Sequence, residues 1–207
     1  MKIESIKPGR RDKEKLVIRT ECGSYISARL DDAYKLKVGD EISCEEAAEL
    51  ERKYNAQTVK KAAARSLSHH SMSKHDLAKK LRDRGFSEEE SAETAEWFEE
   101  RGLVDDEAYA KAAAEYYKRR GYGELRIREE LRRRGLERAL IDETLERLEP
   151  PQDELSELIR KKLRGGEFDA DKKRKLIAFL VRRGFKFDEI RAAMNELQLD
   201  TEDLSDV

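Results

Sequence analysis

The chain has 207 residues, a formal net charge of −2, and 43% charged against 38% hydrophobic residues. That balance leaves too little apolar surface for one deep globule and predicts a surface-rich, elongated body built from small units. No apolar run approaches the ~18 residues of a membrane span, and the start MKIESIKPGRR lacks the apolar core of a secretory signal, so a cytoplasmic protein is expected. The two cysteines, Cys22 and Cys44, have neither disulfide-framework nor metal spacing and read as buried or half-buried reduced thiols.

In chain order, residues 1–43 read as a small β-rich element of three or four strands. KLVIRTE (15–21) and SYISARL (24–30) alternate as strands do, with Cys22-Gly23-Ser24 as the hairpin turn. LKVGDEIS (36–43), with Val38-Gly39-Asp40 as a turn, is expected to form the edge of a small barrel or sheet, and Lys7-Pro8-Gly9-Arg10-Arg11 an exposed turn. Ser43 and Glu46 fit an S-x-x-E capping box, which opens a linking helix over 44–56.

Three copies of one pattern follow: LAKKLRDRG (77–85), IREELRRRG (127–135) and LIAFLVRRG (176–184). Each has aliphatic residues eight and four positions before a glycine, arginine directly before it and an apolar residue directly after it (Phe86, Leu136, Phe185). An i, i+4 aliphatic pair followed by glycine is the end of an amphipathic helix closed in the left-handed conformation. Apolar positions six, ten and thirteen after each glycine predict another helix, and an upstream helical stretch completes each copy. Ser87 and Glu90 supply a capping box in the first. The predicted fold is therefore mainly α, an elongated tandem array of three three-helix, helix-turn-helix-like repeats (57–105, 106–149, 152–199) after the β element, with Pro150-Pro151 between the last two and a frayed acidic tail over 200–207.

Charge alternates with the repeat. Segments 61–85, 111–134 and 158–186 hold seven, nine and eleven basic residues against two, four and three acidic ones. Segments 86–109, 136–157 and 187–207 hold one, two and one basic residues against ten, eight and seven acidic. The sign changes at each repeat glycine, so stacked repeats would carry stripes of opposite potential, whereas local pairing would give an ordinary solvated surface.

No nucleotide-binding, nucleophile-elbow or H-E-x-x-H motif is present, His69, His70 and His75 lack companions for a metal set, and neither enzymatic activity nor a cofactor is expected. The richest segment is residues 116–135, where tyrosines interleave with Lys118, Arg119, Arg120, Arg126, Arg128, Arg132, Arg133 and Arg134. Arginine and lysine neutralise phosphates, and tyrosine stacks on unpaired bases, so these cations with Lys172, Lys173, Arg174, Arg182 and Arg183 are the candidate DNA- or filament-binding set. Tyr117 and Tyr122 are the candidate stacking residues. The competing reading makes Tyr116 and Tyr122 core anchors and pairs the arginines with the acidic third helices.

Residues 102–148 resemble the middle repeat of the RecX regulatory proteins, bacterial modulators of the RecA recombinase. The resemblance rests on Asp105-Asp106 followed by Tyr109-Ala110, then Tyr122-Gly123, Ile127, Leu131, Gly135 and Leu136, and the flanking repeats extend it over nearly the whole chain. The third repeat departs by three extra residues around Arg164–Asp169. The resemblance implies a monomer that binds RecA and its nucleoprotein filament. Such a protein restrains ATP hydrolysis, strand exchange and co-protease activity in recombination, DNA repair and the SOS response, with weak, non-sequence-specific affinity for single-stranded and double-stranded DNA. An autonomous helix-turn-helix DNA-binding protein is the alternative.

Overall fold

The computed structural model describes residues 1–10, 12, 14–149, 152–163, 169–197 and 199. Arg11, the Pro150-Pro151 boundary, most of the extra segment of the third repeat and the acidic tail lie outside the described residues. The chain is mainly α with a three-stranded N-terminal sheet, and it divides into two compact units: residues 1–70 with 77–98, and residues 71–76 with 99–207.

In the first unit, β1 (Ile3–Pro8), β2 (Lys15–Thr20) and β3 (Tyr25–Arg29) form an antiparallel sheet in the order β1-β2-β3. Alternation sends Leu16 and Ile18 of β2 and Ile26 and Ala28 of β3 into a core shared with Ile3, Ala33, Ile42 and Ala47. Two expectations need correction. Lys7 and Pro8 belong to β1, paired with Val17 and Leu16, because proline is tolerated at a strand end, and the turn begins at Gly9. Residues 36–43 form no strand: Asp40 accepts the Lys37 N–H through its carboxylate, Gly39 adopts φ 94°, and this turn leaves a single bridge from Lys2 to Glu41. The short helix α1 (Leu30–Ala33) follows β3 directly.

Helix α2 (Cys44–Leu67) opens with the expected capping box, the Ser43 hydroxyl accepting the Glu46 N–H and the Glu46 carboxylate accepting the Ser43 N–H. It continues without interruption through residue 56, since neither glycine nor proline stands between its caps. The linking helix and the first helix of the first repeat are thus one helix. Both cysteines are free and exposed, contrary to expectation, because Cys22 sits in the β2–β3 turn and Cys44 in the first turn of α2. Helices α3 (Lys74–Arg82) and α4 (Glu88–Glu100) follow, with the Ser87–Glu90 capping box formed.

The second unit contains two three-helix bundles. Helices α5 (Asp106–Arg119), α6 (Glu124–Arg133) and α7 (Arg138–Glu146) enclose Ala110, Ala114, Ile127, Leu131, Leu136, Ile141 and Leu145. Helices α8 (Gln152–Leu163), α9 (Ala170–Arg182) and α10 (Phe187–Glu196) enclose Leu155, Ile159, Leu176, Leu180, Phe185, Ile190, Ala193 and Met194. The recurrent pattern now has a mechanism. After each repeat glycine, at φ 95°, 71° and 85°, the next residue donates its N–H to the leucine carbonyl five positions back: Phe86 to Leu81, Leu136 to Leu131 and Phe185 to Leu180. This closure of the helix end requires the glycine and favours an apolar residue after it, which packs back over the last turn.

Candidate nucleic-acid interface

The second unit carries most of the predicted basic residues, and its geometry sorts them. The end of α9 docks on the turn between α5 and α6. Gly123 donates its N–H to the Arg183 carbonyl (2.9 Å) and Leu125 to the Gly184 carbonyl (3.1 Å), while the Arg183 guanidinium donates to the Arg120 carbonyl (2.8 Å). Gly123 and Gly184 permit this approach, because a Cβ on either would overlap the facing backbone. The ends of α5 and α9, with Arg119, Arg120, Arg182 and Arg183, are thereby gathered at one junction.

Aromatic rings and cations form a column through the same junction. Lys162 lies over Phe179 (4.5 Å) and Arg183 over both Phe179 (5.2 Å) and Tyr122 (5.1 Å). Tyr122 stacks on Tyr117 (5.8 Å), Tyr117 meets Tyr116 edge-on (5.3 Å), and Arg120 lies over Tyr116 (5.5 Å) while also bonding its hydroxyl (2.6 Å). The Tyr116 hydroxyl holds the Arg120 guanidinium above its usual basicity. Tyr117 and Tyr122, the predicted stacking residues, pack against the α5–α7 core inside this column, and Tyr116, 48% exposed, is the open ring. The core-anchor alternative therefore fits Tyr122 and fails for Tyr116.

Several predicted cations are neutralised within the unit. Arg126 pairs with Glu129 and Glu130, Arg133 with the same two carboxylates, and Arg128 with Glu124 and Asp142. The Arg128 guanidinium beside Asp142 holds that carboxyl below the usual range. Burial pushes the Glu124 carboxyl up, but Lys186 and Arg128 together outweigh it and bring the carboxyl below its usual value. Arg134 is held strongly protonated by the Tyr117 hydroxyl and by Asp76 (3.0 Å), and its carbonyl accepts the Ser73 hydroxyl (2.6 Å). Arg174 pairs with Asp171. Lys118 and Lys173 are both buried, at 8% exposure, and the Lys118 ammonium already meets the Glu149 carboxylate (3.9 Å).

What remains exposed without a carboxylate partner among the described residues is Arg119, Arg132 and Arg182, together with Arg120 on its tyrosine. Arg119, Arg120 and Arg182 share the junction. Arg132 lies at the far end of α6, ~12 Å along the helix, and Lys172 and Arg174 lie in the first turns of α9, away from Arg182. The partners Glu129 and Glu124 were readable as i, i+3 and i, i+4 neighbours of arginines, whereas Asp142 and Asp76 were not. Among the described residues no group of three His, Cys, Asp or Glu is placed to hold a metal ion, and no helix is long and apolar enough to cross a membrane.

Residues 105–145 match the second three-helix domain of RecX, and residues 151–194 the third. The chain is 34% identical over 149 residues to the regulatory protein RecX of Halorhodospira halophila, covering 71% of this chain and 92% of the relative. It is 37% identical over 145 residues to that of Pseudomonas tolaasii, covering 69% and 93%. The crystal structure of a regulatory protein RecX superposes with a TM-score of 0.71 at 21% identity, over 94% of this chain and 98% of that one. RecX from Lactobacillus salivarius superposes at 0.64 with 19% identity, over 70% of this chain and 98% of its own. With a sequence relationship spanning nearly the full length of these relatives, and the same fold, the chain belongs to the RecX family of regulatory proteins.

Proposed function

We propose that this protein binds the RecA recombinase filament on single-stranded DNA and restrains its ATP hydrolysis, and with it strand exchange and co-protease activity. One observation carries the reading beyond family membership: the junction between the two bundles of the second unit presents Arg119, Arg120 and Arg182 to solvent, none of them ion-paired among the described residues. Guanidinium groups free of carboxylate partners, on helix ends fixed by backbone hydrogen bonds, suit phosphate or carboxylate on a large partner, because no backbone ordering is left to be done on binding. The contact is electrostatic and blind to base sequence. The experiment is a titration of RecA ATP hydrolysis on single-stranded DNA with the full chain. Hydrolysis should fall as the protein approaches stoichiometry with the filament, and the charge-reversed variant Arg119→Glu/Arg182→Glu should need a roughly tenfold higher concentration. Sequence-specific affinity for bare duplex would instead support an autonomous DNA-binding protein.

A further inference from the structure

The first unit holds a cleft of about 420 Å³ between the β1–β2 connection, β3 and α2. Four cations line it: Arg29 at the end of β3, Lys61 and Arg65 on α2, and Arg84 just past the end of α3. Tyr54 forms part of its wall. The acids lining it are Asp12 and Glu14, which leaves an excess of two positive charges in the lining, with Arg29 also met from outside it by Asp31 (3.5 Å). Glu14 spans two of the cations, with its carboxylate 2.8 Å from Lys61 and 3.3 Å from Arg29. Arg84 donates to the Ala62 carbonyl (2.9 Å), and neither Arg84 nor Arg65 has a carboxylate partner among the described residues.

We propose that this cleft is a phosphate-binding site for a nucleic-acid strand, in which the Glu14 carboxylate stands where the phosphate binds. Lys61 and Arg29 pull the Glu14 carboxyl below its usual range, which marks the field an incoming anion meets. Exchange needs only a side-chain rotation, because the Glu14 carbonyl stays anchored to the Leu30 N–H (2.8 Å) while its side chain is 58% exposed. Arginine forks match phosphate oxygens in pairs, and the Tyr54 ring in the wall, which carries the Lys15 ammonium over it (4.9 Å), supplies an apolar surface for the sugar or base. That combination favours a nucleic-acid strand over an acidic peptide. The site is independent of the junction in the second unit.

The two kinds of substitution act in opposite directions, which separates this site from general charge attraction. Amide NMR shifts of Arg29, Thr58 and Lys61 in the full chain, titrated with the tetranucleotide dT4, should saturate. Glu14→Gln removes the internal competitor and should tighten that titration a few-fold, while Arg65→Glu should weaken it about tenfold. Inorganic phosphate should move the same amides only at much higher concentration. Unmoved amides, or a Glu14→Gln titration no tighter than that of the parent protein, would overturn the site. Equal affinity for inorganic phosphate, or higher affinity for a glutamate tetrapeptide, would overturn the assignment to a strand. A RecA titration without effect would leave these results standing.

Discussion

Gly135 lies directly against the His75 imidazole, so that a Cβ built on the glycine would overlap the ring Cγ and the histidine Cβ. Gly184 stands in the same relation to the backbone of Arg126. Gly85 has the same positive φ and nothing within 4 Å of the position its Cβ would take. The three glycines are alike as helix ends and unlike in their surroundings.

Alanine at Gly85 should therefore cost ~1 kcal/mol, the strain of a left-handed residue alone. Alanine at Gly135 or Gly184 adds an overlap with packed groups and should cost ~3 kcal/mol or more. Urea unfolding of the three variants checks the order, and equal losses would contradict the packing account.

This difference shows where sequence legibility ends. The capping boxes at Ser43 and Ser87 and the leucine-glycine helix ends are local, decided within five residues, and all three helix ends form as their spacing dictates. The contact of Gly135 with His75 joins residues 60 apart, and Arg128 finds Asp142 across the α6–α7 turn. Neither follows from a period. Charge blocks likewise report where cations are concentrated but not which ones already have partners. That is why Lys118 and Lys173, on basic segments, are buried, while Arg119 and Arg182 remain open. The turn at Val38-Gly39-Asp40 is local and forms, whereas the sheet edge expected around it reduces to the one bridge from Lys2 to Glu41.

Arg183 should not be replaceable by lysine. Its guanidinium plane lies between Tyr122 and Phe179 and donates to the Arg120 carbonyl, geometry that an ammonium cannot reproduce. Arg183→Lys is expected to cost ~1–2 kcal/mol, the scale of a desolvated cation–π contact with one charged hydrogen bond. A double-mutant cycle with Tyr122→Leu should show coupling, and strict additivity would place the stabilisation elsewhere.

Burial is the main cause that raises the Asp106 carboxyl above its usual pKa, with the Glu99 charge adding to it, even though one oxygen accepts the Lys74 N–H (2.8 Å). A carboxyl with a raised folded-state pKa binds more protons folded than unfolded. Its ionisation therefore costs stability, absent below the unfolded value near ~3.9 and complete above the folded one. Asp106→Asn keeps the acceptor and removes the charge. Thermal unfolding should find the variant more stable than the parent protein at pH 7, with the advantage gone at pH 3. A variant less stable at pH 7 would show that the charge is favourable there.

The Cys22 thiol is lowered to about 7 by the Ser24 and Thr20 side chains, which stabilise its thiolate. It should alkylate with iodoacetamide with a midpoint near pH 7, as followed by mass spectrometry of its peptide. Thr20→Val should move that midpoint upward. A midpoint of ~8.5, that of an ordinary thiol, would refute the assignment.

The central claim is that the exposed arginines of the α5–α6/α9 junction, and not the internally paired ones, engage the RecA filament. Arg119→Glu/Arg182→Glu and the internally paired Arg133→Glu/Arg174→Glu each change the charge of the same unit by the same amount, so parallel titrations of RecA ATP hydrolysis on single-stranded DNA compare them directly. The junction variant should lose inhibition by roughly tenfold in concentration and show a shallower salt dependence, while Arg133→Glu/Arg174→Glu stays close to the parent protein. Equal loss in both variants, or full inhibition by the junction variant, would contradict the account.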